Sequence, residues 1–340
     1  MSKQLSVIVP YCNEYPAIMF TVQTVLEQIK DIDGEVVVID NYCHKDLNKQ
    51  KVGEAFCPSC MENVDILRTP DKGGQVMQEK AKNLPNLKYI RYSDKLSHWN
   101  AKNAGVVAAS EGKILLFLDA HVVPGDNSLK PMFDYYINNY DALNGTLHLP
   151  LAYMLANSSL IYRFESNPEK GFYHYAFSGY KLEDKPKKVA VMSTCGMMIS
   201  RELYDLLGGW PKELGIYGGG ENFINFSLAI LGKDKHIMNT RSLSHFADER
   251  GYFYNYDDFL RNRTISVYIT AGEDAAHRFI KNCKGNPEIL EKIYQNVLAT
   301  TKEHKDYIAS KQQMSISDWM EKIKKEGLWD GVLSTKEYVS

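Results

Sequence analysis

Apolar positions come in short blocks along the first third of this chain, and the spaces between the blocks have helical spacing. Leu5–Val9 is an apolar run closed by Pro10; a helix-like segment follows from about Pro16 to Lys30, and Glu35–Ile39 is a second buried-strand pattern ending at Asp40-Asn41. Strand, helix and strand in about forty residues predict the opening βαβ unit of a nucleotide-binding sheet. Leu87–Arg91 reads as a third strand, Trp99–Ser110 as a helix and 114–118 as a fourth strand. That fourth run, Ile114-Leu115-Leu116-Phe117-Leu118, stops at Asp119-Ala120-His121. An apolar run of this kind suits a strand buried on both faces, and ligands gather beyond the carboxyl ends of such strands. Alternation along a strand sends Asp119 and His121 the same way. A carboxylate and an imidazole at that spacing suit a divalent cation, Mn²⁺ or Mg²⁺.

The rhythm breaks twice. Residues 42–86 are polar, carry Pro58, Pro70, Gly73-Gly74 and Pro85, and read as a long insertion. Residues 131–185 are rich in Tyr and Phe without a clear period. Val189–Ile199 then reads as another strand, with Ser200 as N-cap of a helix beginning Arg201-Glu202-Leu203. Gly218-Gly219-Gly220-Glu221-Asn222 precedes a helix of roughly 222–231, and beyond His245 the pattern is mostly helical, over Asp257–Thr270, Pro287–Thr301 and Ile316–Lys325. The expectation is an α/β domain over 1–250 with an insertion at 42–86, then a helical C-terminal extension over 251–340 as a candidate binding region.

Composition narrows the partners. The 340 residues are 44% hydrophobic and 24% charged, with a formal net charge of −2, so no global basic field recruits a polyanion, although a local basic groove stays open. No run of about eighteen apolar residues exists, so no membrane span is expected. The first ten residues read as a strand rather than a signal peptide, and six cysteines give no disulfide framework, so a cytoplasmic setting is expected. Cys57-Pro58-Ser59-Cys60, with Cys43 and His44 upstream, raises a structural Zn²⁺ at Cys43, Cys57 and Cys60 against plain free thiols. The adjacency of Cys43 and His44 and the lack of a second Cys-x-x-Cys weigh against the metal.

Several motifs then agree in order. They are Ser6-Val7-Ile8-Val9-Pro10-Tyr11-Cys12-Asn13-Glu14, Val38-Ile39-Asp40-Asn41, Ala101-Lys102-Asn103-Ala104-Gly105, Phe117-Leu118-Asp119-Ala120-His121, Gly208-Gly209-Trp210 with Tyr217-Gly218-Gly219-Gly220-Glu221-Asn222, and His245. The set resembles GT-A-fold glycosyltransferases of family 2 and, more closely, the polypeptide N-acetylgalactosaminyltransferase-like group, with Lys102 where an Arg is usual and Asp-x-His in place of the commoner Asp-x-Asp. The resemblance implies a Rossmann-like mixed sheet flanked by helices, a UDP-sugar donor and a bound divalent cation. It does not cover 42–86 or the tail beyond about 270.

The resemblance also implies roles. Asp119, His121 and His245 would ligate the cation, with His236 as the nearby alternative to His245. Asp40 would accept from the uracil imide, and the Pro10, Tyr11, Asn13 and Glu14 loop would line base and ribose, with Ala120 at the metal motif. Lys102 and Arg250 are candidate phosphate partners, and Trp210 and Tyr217 a candidate apolar floor under the sugar. Glu221 and Asn222 are the candidate catalytic pair. Inverting relatives use a carboxylate in this segment as general base, whereas Asn222 cannot take a proton at neutral pH, which matches the retaining group. That favours retention at the anomeric carbon, with Glu221 orienting acceptor or sugar; if the enzyme inverts, Glu221 is the base.

The acceptor is open: a protein, a glycan, a small molecule or a modified DNA base. The last reading uses Lys181–Lys188, Arg261–Arg263 and the Lys-rich tail to follow phosphates, with a hydroxymethylated pyrimidine flipped into the site. A nucleotidyltransferase is disfavoured because the loop after the first strand is Tyr11-Cys12-Asn13-Glu14, not a basic Gly-rich loop. A catalytically silent sugar-binding module is disfavoured by the presence of Asp119, His121, Glu221 and His245.

Overall fold

The computed structural model describes residues 4–41, 70–109, 112–153, 158–246, 254–331 and 333–334. The chain opens with β1 (Leu5–Tyr11), α1 (Ala17–Gln28), β2 (Gly34–Asp40), α2 (Lys72–Asn83), β3 (Leu87–Arg91), α3 (His98–Ala108) and β4 (Ile114–Phe117). β1, β2 and β4 are buried at every position, as the unbroken apolar runs require of strands covered on both faces. Next come β5 (Val122–Pro124), α4 (Leu129–Asn138), α5 (Tyr140–Leu143), β6 (Gly145–His148), β7 (Leu151–Tyr153), and the hairpin strands β8 (Ser159–Asn167) and β9 (Phe172–Tyr180). They are followed by β10 (Lys187–Val189), β11 (Met197–Ser200), α6 (Arg201–Leu206), α7 (Gly220–Ile230), β12 (Asp234–Ile237) and β13 (Leu243–His245). Four helices end the chain: α8 (Tyr256–Ala271), α9 (Glu273–Lys281), α10 (Pro287–Lys311) and α11 (Ile316–Lys325).

The main sheet has the order β10-β12-β6-β11-β4-β1-β2-β3. Its β4-β1-β2-β3 half is parallel, and β11 joins β4 antiparallel, giving the mixed sheet expected. β1 connects through α1 to β2 on one side while β4 lies on the other, so the carboxyl ends of β1 and β4 flank a topological switch point. A second sheet, β5-β13-β7-β8-β9, stands over that edge. α8 packs on α7 and α10, and α11 on α7. Phe164 of β8 meets Trp319 at 5.0 Å and Trp329 at 5.4 Å between ring centroids, so the C-terminal helices share an aromatic core with the hairpin.

Motif residues of α3 have plain packing roles. A Cβ at Gly105 would come within 2.5 Å of Ile39 Cδ1 and 2.7 Å of Ile8 Cγ2, so only glycine lets α3 lie this close on β1 and β2. Asn103 Oδ1 accepts from the Tyr204 hydroxyl and from Trp210 N, and its Nδ2 donates to Trp210 O, which fixes the Gly208-Gly209-Trp210 loop to α3.

Three elements differ from the sequence reading. Residues 72–83, inside the stretch read as an insertion, form α2, which precedes β3. Asp71 caps it by accepting from Gly74 N at 2.7 Å, and a Cβ at Gly74 would meet Asp40 Oδ2 at 2.5 Å. The Gly73-Gly74 pair that suggested a loop therefore marks close docking of a helix start. Val189–Ile199 is not one strand: Val189 ends β10, which pairs with β12, residues 190–196 are a connection, and Met197–Ile199 belong to β11, which lies between β6 and β4. In 131–185 the structure has α4, α5 and four strands, β6 to β9. The period-2 signal of the β8–β9 hairpin was masked because Phe172, Tyr173, Tyr175, Ala176 and Phe177 put apolar groups on both faces of β9. Ser200 caps α6 as expected, accepting from Leu203 N.

One buried group gives the fold a pH response. His148 Nδ1–H donates to Ser193 O at 2.8 Å, and its Nε2 accepts from Thr146 Oγ1 at 2.8 Å, which suits a neutral ring. Burial, with the Lys235 charge adding, lowers its pKa to about 3. Between that value and the unfolded value near 6.5 the unfolded chain binds the extra proton, so stability falls as pH falls through this window. The expected loss from His148 is about 2 kcal/mol at pH 5. Thermal denaturation from pH 7 to pH 4.5 should show a shallower decline in His148→Gln than in the parent; equal slopes would remove His148 as a source.

Candidate active site

The site grows from the carboxyl ends of β1 and β4. Thr21 of α1 grips the loop after β4: its Oγ1 lies 2.8 Å from Ala120 O and 2.7 Å from Val122 O, and it accepts from Val122 N. β13 pairs antiparallel with β5, placing His245 opposite Val122, and Phe246 N donates to His121 O. This pairing brings a residue distant in sequence beside the Asp-x-His turn. One ligand atom from each of Asp119, His121 and His245 lies within 4.8 Å of the others. His236, the alternative, instead sits in β12 opposite Leu147 of β6.

This donor set fits a divalent cation. It offers one carboxylate and two imidazoles, and Asp119 Oδ1 and His245 Nδ1 are buried polar atoms with no hydrogen-bond partner among the described residues. Burial pushes the Asp119 carboxyl up, but the Lys102 charge first and the hydrogen bond from His245 next lead the contributions that outweigh it and hold it well below the usual range. His98, which the sequence reading missed, places Nε2 3.5 Å from Asp119 Oδ1; burial and then the Lys102 charge lower its pKa to about 3, so it is neutral.

Glu14 was expected at the nucleotide, and the structure gives it another contact. Its Oε1 is 2.6 Å from His121 Nδ1, and its Oε2 accepts from Cys12 N. A carboxylate on one ring nitrogen fixes the tautomer and leaves the other nitrogen as the ligand. Glu14→Gln is therefore expected to weaken Mn²⁺ binding about 10- to 100-fold, the usual cost of losing such a partner. Titration of Mn²⁺ by electron paramagnetic resonance checks this; an unchanged affinity would separate Glu14 from the metal site.

The cavity over this cluster has a volume of about 940 Å³, at the upper end of the range for ligand sites. Pro10, Tyr11, Ala120, Asn41 and Glu14 line it on the sheet side, and Tyr217 and Glu221 lie opposite. Other expected residues are placed differently. Asn13 does not line the cavity; it is exposed in a left-handed turn with φ of 55°, which aims Glu14 inward. Asp40 is 0% exposed and lies behind the wall, its Oδ2 accepting from the Tyr89 hydroxyl and Arg91 Nη1, while the adjacent Asn41 lines the cavity. Lys102 is 0% exposed beneath Asp119 rather than in the cavity. Trp210 is core, stacked on Trp99 at 5.8 Å and edge-on to Phe117, not a floor for a sugar. Arg250 and the zinc candidates Cys43, Cys57 and Cys60 lie outside the described residues.

Glu221 and Asn222 separate at the start of α7. The Glu221 carboxylate faces the cavity and is a hub: Oε1 accepts from Ser193 Oγ at 2.9 Å and Thr194 N at 3.0 Å, and Oε2 accepts from the Tyr175 hydroxyl. The Tyr162 hydroxyl stands 3.4 Å from Oε2, its ring stacked on Tyr175 at 4.2 Å. Burial, then the Glu221 charge, raises both phenols well above the usual tyrosine range, so they stay protonated as donors. Asn222 is 2% exposed and turned away from the cavity. Its Nδ2 donates to Tyr173 O, and its Oδ1 accepts from Arg263 Nη1 at 2.7 Å, which also donates to His174 Nδ1. Asn222 thus acts on the cavity through Arg263. Neither Tyr162, Tyr175, Ser193 nor Arg263 carries a local sequence signal for this arrangement, since they meet only through the hairpin, the β10–β11 connection and α8.

The sequence model of glycosyl transferase family 2 matches residues 68–207. The chain is 21% identical over 252 residues to N-acetylgalactosaminyltransferase 6 of Drosophila melanogaster, an alignment covering 71% of this chain and 34% of the relative. The chain thus spans about a third of the length of that curated relative. Among solved structures it is similar to GalNAc-T7 with UDP, GalNAc and Mn²⁺, with a TM-score of 0.66 at 16% identity, covering 96% of this chain and 57% of the other. It is also similar to S. aureus TarS 1–349 in complex with UDP, with a TM-score of 0.50 at 14% identity, covering 87% and 70%. These likenesses and the mixed sheet agree on the GT-A fold. Residues 68–207 thus match the glycosyl transferase family 2 model, in a chain that has the GT-A fold and is similar in sequence to N-acetylgalactosaminyltransferases.

Proposed function

We propose that this chain transfers a sugar from a UDP-sugar to an acceptor hydroxyl with retention at the anomeric carbon. The observation that carries the reading is the Asp119, His121 and His245 cluster at the switch point of the sheet, facing a cavity large enough for a nucleotide sugar. A divalent cation held by these three residues would stabilise the charge that develops on the diphosphate leaving group. Asn41 and the Pro10–Cys12 backbone face the nucleotide half of the cavity, and Glu221 orients hydroxyl groups in the other half.

Retention is supported by the state of the carboxylates. Glu14, Asp119 and Glu221 are the acids among the described residues lining the cavity. Glu14 holds His121, Asp119 belongs to the cation cluster, and Glu221 accepts from Ser193, Thr194 and Tyr175. A carboxylate whose two oxygens are both taken by donors is held in one position as a fixed anchor. Inversion needs a general base on the acceptor hydroxyl, and this wall supplies anchors instead.

The acceptor is a hydroxyl on a group that fits between aromatic walls, since Tyr153, Tyr162, Phe177, Tyr217 and Phe259 face the cavity. The basic residues read as a phosphate track do not favour DNA: Lys187 pairs with Glu183, Lys188 with Asp234 and Glu326, and Arg261 with Asp258. No helix among the described residues is long and apolar enough to cross a membrane.

Incubation with a panel of UDP-sugars and Mn²⁺, followed by proton NMR of the product, tests the reading. The expected result is transfer or slow hydrolysis with one UDP-sugar, the new bond keeping the donor's α-configuration. A β-product would overturn retention. Tight UDP binding with no turnover of any donor would overturn the enzyme reading in favour of a binding module.

A further inference from the structure

The side chain that the proposed function leaves unused is Lys102, and its surroundings are unusual for an ammonium. It is 0% exposed, with Nζ 5.2 Å from the centre of the Trp99 ring and 5.6 Å from that of Trp210. Its nearest acid is Asp119, with Nζ 3.6 Å from Oδ1. Lys102 Nζ and Asp119 Oδ1 are both buried polar atoms with no hydrogen-bond partner among the described residues. A buried cation therefore faces the carboxylate of the cation cluster without being hydrogen-bonded to it. Water does not reach the ammonium to screen it, so its charge acts on the cluster directly.

We propose that Lys102 makes the site selective by charge, opposing a bare dication while accepting the same dication as its complex with a nucleoside diphosphate. The proposal rests on the reading of Asp119, His121 and His245 as the cation site. Asp119 and Glu14 are the two acids at the cluster, and Lys102 cancels one of their charges. A free dication must enter against that ammonium. The complex of a dication with UDP is net negative, so the same ammonium attracts it. Ion and nucleotide are thus favoured as one unit, and the ion alone is disfavoured.

The size of the effect follows from Coulomb's law. An ion bound at Asp119 lies roughly 6–8 Å from the ammonium; in a water-like dielectric that repulsion lowers the affinity of a dication about five- to tenfold, and more in a drier site. Lys102→Met keeps the length and the packing between the two indoles while removing the charge.

The test measures two affinities in the full chain at fixed ionic strength: Mn²⁺ alone, by electron paramagnetic resonance, and the Mn²⁺–UDP complex, by calorimetry. Lys102→Met is expected to bind Mn²⁺ alone about five- to tenfold more tightly and the Mn²⁺–UDP complex equally or more weakly. Lys102→Arg, which keeps the charge, should bind both like the parent. A merely structural lysine would weaken both affinities on removal, and that result, or no change in Mn²⁺ affinity, overturns the proposal. Should Lys102→Met not fold, Lys102→Gln carries the same expectation. If the parent chain binds no Mn²⁺ with or without UDP, the cation-site reading itself fails; if it binds but the Met variant gains nothing, only the role of Lys102 fails.

Discussion

Asp119→Ala is expected to lower sugar transfer by about 10²–10³-fold and to abolish measurable Mn²⁺ binding, the cost of removing one preorganised group at a centre of developing charge. Asp119 is the anionic ligand of the proposed cluster, so the two histidines that remain cannot offset the charge of the ion. The substitution also leaves the Lys102 ammonium buried without its counter-charge. Breaking such a pair costs about 3–5 kcal/mol, so lost activity alone would be ambiguous. The double variant Asp119→Ala with Lys102→Met resolves this: stability should recover while transfer stays low. Recovery of transfer in the double variant, or a near-normal rate in Asp119→Ala, would sink the metal assignment.

The second large effect is expected at Glu221. Glu221→Ala removes the acceptor for Ser193 Oγ, Thr194 N and the Tyr175 hydroxyl at once. Each donor stranded away from water costs about 1–3 kcal/mol, although the space left by the side chain admits water that recovers part of it. The hub also holds the stacked Tyr162 and Tyr175 against the β10–β11 connection, so the cavity wall should loosen. A fall in transfer of at least about 100-fold is expected, the scale of losing a charged hydrogen-bonding group that fixes substrate geometry. Glu221→Gln separates anchoring from base catalysis. Its amide oxygen still accepts from Ser193 and Thr194, so an anchor keeps part of its rate and a flat profile between pH 6 and 8. A Gln variant as dead as the Ala variant, with a parent profile whose rate falls on the acid side as a carboxylate is protonated, would make Glu221 a base and the reaction inverting.

Much of the fold was legible because its signals are local. The strands at 5–11 and 34–40 are built on unbroken apolar runs, 87–91 is a short run with Lys88 and Arg91 in it, and the helices at 17–28 and 316–325 fall where spacing puts them. Ser200 was legible for the same reason, since a cap involves only near neighbours; Asp119 and His121 do come together, but from the turn after β4 and not by alternation along a strand. Misreadings came where local rules point the wrong way. Gly73-Gly74 reads as a loop by propensity, but the glycines remove Cβ atoms that would strike Tyr11 and Asp40. The apolar stretch 189–199 reads as one strand, but its two ends pair with different partners in the same sheet.

By itself the sequence determined a parallel βαβ opening, a carboxylate and an imidazole aimed together beyond β4, and the order of motifs that places the chain among glycosyltransferases. Tertiary structure alone decided the rest of the site. The pairing of β13 with β5 brought His245, and not His236, beside Asp119 and His121, and burial puts Asp40, Lys102 and Asn222 in the layer behind the cavity. Side-chain type states what chemistry a residue can do, but which groups meet, and which face the cavity, depends on contacts between segments distant in the chain. Those contacts are set by how strands pair and how large side chains fill the space between layers: the pairing of β13 with β5 brought His245 to Asp119 and His121, and Trp99 and Trp210 flank Lys102 beneath Asp119.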